Sequence, residues 1–136
     1  MRTALILFTS LLLISCGPDV TKHYAIKADA GADAMFEKGW LPELIPNSAK
    51  EIKIENNLDL NTSSGIFKFE PSDWSKFERS VNMKLKSVSP FSRWSETQAD
   101  FKARGYHQLA HSEDTSTWVF FCQPIIGTCE YFTWGR

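Results

Sequence analysis

Residues 116–134 constrain this chain more than any other stretch. Ser116–Gln123 and Cys129–Trp134 are rich in aromatic and β-branched residues, which favour strands. Pro124 and Gly127 lie between them and favour a turn. The segment therefore reads as a hairpin. Strand alternation puts Trp118, Phe120 and Cys122 on one face, opposite Cys129 and Tyr131. Val119, Phe121, Phe132 and Trp134 fall on the other. Both faces are apolar, so two arrangements are open. The rest of the chain covers both faces, or one stays bare as a contiguous patch of the kind that marks partner sites. The second arrangement makes Trp118, Phe120, Tyr131 and Trp134 candidates for a partner surface.

The rest of the chain has to supply that cover. It has 136 residues in all, the size of one domain. At 43% hydrophobic it is too apolar for a disordered chain, and a net charge of −1 gives no electrostatic footprint for nucleic acid. Ala28 to Lys38 reads as a short helix stopped by Gly39. Glu51–Glu55 and Ile66–Glu70 alternate strictly, with Ile52 and Ile54, then Phe67 and Phe69, on single faces. Asn56-Asn57 and Asn61–Gly65 are turn material, so these runs read as a hairpin with a long polar loop. Pro71-Ser72-Asp73 opens a helix with an apolar stripe of Trp74, Phe77, Val81 and Leu85. A second helix begins near Ser95, with Ser95 and Gln98 as a capping box and Gly105 as its stop. The expected fold is α+β: one small domain, an antiparallel sheet with helices mainly on one face.

The N-terminus reads differently. Arg2 precedes an apolar run from Ala4 to Ile14. Eleven helical residues reach about 16 Å, half a bilayer core, so residues 1–15 read as a signal peptide. Leu13-Ile14-Ser15-Cys16 at its end resembles the bacterial lipobox. That resemblance implies cleavage before Cys16 and covalent lipid on its thiol and new amino group. Several acyl chains together give stable membrane anchoring. Gly17, in place of Asp, looks like the pattern of outer-membrane sorting. Residues 16–28 then read as the lipidated cysteine and a tether, and 29–136 as the globular domain, standing at the periplasmic face of the outer membrane.

Three cysteines are an odd number for an exported chain. With Cys16 taken by lipid, Cys122 and Cys129 remain. A structural disulfide closing the C-terminal hairpin is the favoured reading. A redox-active pair and a metal site are the alternatives, although the spacing is not C-x-x-C and no nearby histidine completes a zinc set.

The run Gly39-Trp40-Leu41-Pro42, Pro46-Asn47-Ser48-Ala49, Ile52, Asp59, Asn61, Phe67 and Phe69 resembles the YbbD head domain of small bacterial envelope lipoproteins. The resemblance implies a module, without a known activity. Trp40 sits in it as either a core residue or a binding one.

The chemistry-bearing residues are few. Asp59, Asn61, Ser63 and Glu70 fit positions 1, 3, 5 and 12 of a calcium loop, but Ser64 stands where the sharp turn needs glycine and Pro71 blocks an exit helix. A polar hairpin loop is the favoured alternative. His107 and His111 are four apart without the glutamate of a zinc protease, and an exposed strand or loop is favoured there. There is no G-x-S-x-G elbow and no glycine-rich phosphate loop. The sequence thus predicts a non-catalytic, lipid-anchored binding module, with no cofactor and a protein or cell-wall partner. An inhibitor or immunity lipoprotein against an envelope hydrolase or toxin is the second reading; a calcium-dependent binder or an enzyme is the third.

Overall fold

A computed structural model describes residues 19–82 and 93–135. The expected signal peptide, Cys16 and Leu85 lie outside the described residues. Six strands form one antiparallel sheet: β1 (Asp19–Ile26), β2 (Lys50–Asn57), β3 (Thr62–Lys68), β4 (His107–Glu113), β5 (Ser116–Gln123) and β6 (Thr128–Gly135). The order across the sheet is β1-β2-β3-β6-β5-β4. Two three-stranded meanders thus meet where β3 pairs with β6. The helices are α1 (Lys27–Ala32), α2 (Trp74–Ser80) and α3 (Trp94–Ala103).

The α+β expectation holds, and two of the three α-helices among the described residues share a face. On that face α1, the crossover of residues 33–49 and α2 bury Ile52, Ile54, Phe67, Phe120 and Tyr131. On the opposite face α3 lays Trp94 and Phe101 over Val119 and Phe121. The Phe101 ring stacks on Phe121 with centroids 4.0 Å apart. Both faces of the C-terminal hairpin are therefore covered, which is why it can be apolar on both. The N-terminal meander needs no second cover, because its other face is mainly polar, carrying Thr21, His23, Lys53 and Glu55 beside an exposed Ile66.

Several boundaries move. The tether expected over 16–28 is strand β1 from Asp19 onward, so the folded domain starts ten residues earlier than 29. β1 was hidden because an edge strand over a polar face needs few apolar residues; Val20, Lys22 and Tyr24 are its half-buried side chains. Tyr24 donates to Asp33 (2.5 Å), which also accepts from Lys22 (3.2 Å), and this ties the turn after α1 to the strand. The helix expected over 28–38 stops at Ala32. The long polar loop shrinks to residues 58–61, because Thr62–Gly65 pair with β2 and β6. α2 ends at Ser80 and Val81 is extended. α3 starts one residue before Ser95 and has no side-chain cap; Arg93 occupies that position.

The Trp-Leu-Pro crossover is held by two anchors. The Lys27 ammonium donates to the carbonyls of Glu43 (2.5 Å) and Ile45 (2.9 Å). Ser48 donates to Asp73 (2.5 Å) and accepts from the Glu70 N–H (3.1 Å). Along this crossover Leu41, Ile45 and Ala49 enter the core.

Candidate interaction turn and polar cavity

The two ends of the sheet differ. At one end lie the start of β1, the β2–β3 turn and the β4–β5 turn. At the other lies the β5–β6 turn, residues 124–127. Strands of eight residues separate the ends by about 25 Å.

The β5–β6 turn is held on three sides. Cys122 and Cys129 stand directly opposite and are disulfide-bonded. The Gly127 N–H donates to the Gln123 carbonyl (3.0 Å), and the Gly127 carbonyl accepts from the Phe69 N–H (2.8 Å). Gly127 has φ +65°, and a Cβ there would lie 2.0 Å from the Phe69 carbonyl oxygen. Glycine is required on both counts. This fixed loop displays Ile125 at 90% exposure and Ile126 at 66%. Single exposed aliphatics are ordinary. Two adjacent ones on a cross-linked turn are a preorganised apolar contact, with little conformational entropy left to lose on binding. The sequence carried a signal for them, since a Pro…Gly turn in water rarely places two isoleucines at its tip.

The opposite end carries a second anomaly. On the face covered by the crossover, Asn56 stands opposite Ser63, Ser63 opposite Thr133, Thr133 opposite Trp118 and Trp118 opposite His111. One row of the sheet is thus polar from β2 to β4. All five side chains are buried; Asn56, the deepest, is 2% exposed. Among the described residues, six buried side-chain polar atoms lack a partner, and five are in this row: Asn56 Nδ2 and Oδ1, Ser63 Oγ, Trp118 Nε1 and His111 Nδ1. Each such group costs about 1–3 kcal/mol if nothing meets it. The row borders a cavity of about 170 Å3 lined by Trp40, Asn56, Asn61, Ser63, Ser116 and Thr133. Asn56, expected in a turn, instead lies within β2, where it continues the alternation of Ile52 and Ile54.

Two titrating groups lie in or beside this row. Burial holds the His111 imidazole below its ordinary pKa, against the opposing pull of Glu113 3.7 Å away. Burial pushes the Tyr131 hydroxyl well above the usual phenol range. That hydroxyl donates to the Trp40 carbonyl (3.3 Å) and faces the Ser63 hydroxyl, which opposes the effect of burial. The Tyr131 ring lies against Gly65, where a Cβ would come within 2.7 Å of it. Ser63 and His111 stand three strand spacings apart, about 14 Å, so they do not form a nucleophile and base.

The other sequence candidates divide. Trp118, Phe120 and Tyr131 are core residues, 3%, 0% and 0% exposed, and cannot meet a partner as expected. Trp134 is half-buried at the edge of the second core cluster. Trp40 is half-buried too, packed on the main core with the Lys38 ammonium 5.4 Å over its ring, and it borders the polar cavity. The calcium positions do not converge. Asp59 and Asn61 are in the turn, Ser63 points into the core and Glu70 pairs with Lys50 (2.7 Å). β3 carries Glu70 roughly 20 Å from Ser63. His107 and His111 are both on β4; His107 meets the Trp74 ring and His111 the Trp118 ring. Among the described residues no three His, Cys, Asp or Glu side chains are grouped to hold a metal ion.

Fold and site together define a small disulfide-bonded α+β domain with a single mixed-cover sheet. Residues 19–68 match the family model of the YbbD head domain, so the chain carries a YbbD-head-like domain spanning the first meander. No curated protein and no solved structure matches the chain.

Proposed function

We propose that this chain is a lipid-anchored bacterial envelope protein, non-catalytic, that docks a partner protein through the β5–β6 turn. The observation carrying this reading is the cross-linked turn with Ile125 and Ile126 exposed at its tip. The anchor would be Cys16, as the lipobox resemblance implies. Two residues, Gly17 and Pro18, separate Cys16 from Asp19, a span of at most about 10 Å. The domain would therefore sit close to the membrane. The start of β1 would face the lipid, and the isoleucine turn would point away from it, about 25 Å up the sheet. The complementary surface is an apolar cleft, because the turn offers two branched aliphatic side chains and Pro124 but no charge.

The test is recovery of partners after cross-linking in the native envelope. Wild type is expected to retain one dominant protein, and an Ile125→Ser, Ile126→Ser double variant to lose it while keeping its melting temperature. Equal recovery by the two would overturn the docking role.

A further inference from the structure

The end of the sheet nearest Cys16 carries its own exposed apolar pair. In the turn between β2 and β3, Leu58 is 54% exposed and Leu60 71%. The two flank the sheet. Leu58 borders the cavity beside Trp40, and Leu60 borders a groove on the opposite face, lined by Thr21, Glu55, Ser64 and Phe132. A surface meeting the sheet end-on would take both. Asn57 ties this turn to the start of the domain. Its side-chain amide donates to the Asp19 carboxylate (2.8 Å), and its carbonyl oxygen accepts from the Leu60 N–H (2.9 Å). Asn61 closes the turn at φ +49°. The leucines are thus held beside Asp19, the first residue of β1. On the anchored reading Gly17 and Pro18 alone lie between Asp19 and the acylated Cys16. Their reach of about 10 Å keeps the leucine turn at the lipid surface.

We propose that Leu58 and Leu60 make a second, non-covalent membrane contact, burying their side chains in a zwitterionic lipid surface beside the acylated Cys16. The proposal rests on the lipid anchor and is independent of the isoleucine turn. The strength of such a contact scales with the apolar area it buries, and two leucines would not hold a free domain on a bilayer. Next to an anchor the contact is intramolecular, so a weak one suffices. Asp19 and Asp59 lie beside the leucines and suit headgroups without net charge, because an anionic surface would repel both carboxylates. The consequence is a fixed orientation. The β2–β3 turn dips into the lipid, the β4–β5 turn at the same end stays in water, and the isoleucine turn is held away from the bilayer.

The test reconstitutes the acylated full chain into phosphatidylethanolamine–phosphatidylcholine vesicles. A nitroxide is attached at Leu60→Cys, and in separate variants at Thr115→Cys and Ile125→Cys, all exposed positions. The introduced thiol is then the free one, with Cys16 in its thioether and Cys122 and Cys129 in their disulfide. Collisions with oxygen, which concentrates among acyl chains, and with a water-soluble nickel chelate report the depth of the label. The label at position 60 is expected to lose most of its nickel collisions and to gain oxygen ones, relative to the same variant made soluble by Cys16→Ser. Labels at 115 and 125 are expected to keep theirs. A position-60 label as open to nickel on vesicles as in solution would overturn the leucine contact and leave the anchor intact. Equal loss at 60 and 115 would overturn it too, because nearness of the whole end to the bilayer would then account for the loss. Failure of the protein to float with the vesicles would overturn the anchor reading itself, and the contact with it.

Discussion

Gly127 and His111 show how much single residues decide here. A Gly127→Ala change meets a positive φ and a backbone oxygen 2.0 Å from the new Cβ. It also strains the carbonyl that receives the Phe69 N–H. Urea unfolding is expected to show a loss of about 2 kcal/mol or more. Burial lowers the folded pKa of His111 below the ordinary 6.5. The unfolded chain then binds more protons as the pH falls through 6.5, and stability drops over that range. A His111→Gln variant is expected to flatten the melting temperature between pH 7 and 5 relative to wild type; an unchanged slope would assign the dependence elsewhere. At this scale the sequence was a partial guide. Gly105 was read as a stop and has φ +78°. Ile125 and Ile126 were passed over because the residues around them announced a turn, and turn residues are read for backbone conformation rather than for what the tip displays.

The elements show where pattern succeeds and where it fails. The C-terminal hairpin was legible in register, since Cys122 pairs with Cys129 and Phe120 with Tyr131 as alternation placed them. Dense aromatic and β-branched runs leave one periodicity available. β1 was not legible, because a strand with one polar face, at a sheet edge, lacks that density. The choice between covered and bare faces was open in sequence because it depends on where α3 packs, a long-range fact. The disulfide closes a loop of about eight residues, which the chain-entropy relation values at about 2–3 kcal/mol. A Cys122→Ala, Cys129→Ala double variant is expected to unfold at correspondingly lower denaturant and to bind its partner more weakly, as the Ile125–Ile126 turn loses its brace. Unchanged binding with reduced stability would mean that preorganisation of the turn contributes nothing to docking.

The whole molecule is polarised along its strands, with the start of β1 at one end and the isoleucine turn at the other. On the anchored reading, Cys16→Ser is expected to release the protein from membranes into the soluble fraction without changing its melting temperature, since Cys16 precedes β1 in the chain. Retention of the serine variant on membranes would remove the anchor from the account and leave the docking turn standing. The most direct measurement places a photo-cross-linking residue at Ile125 in one variant and at Glu55, on the exposed face of β2, in another, and irradiates intact envelopes. The docking reading requires one dominant protein adduct from position 125 and none from position 55. Equal labelling at both positions, or adducts from position 55 alone, would contradict it.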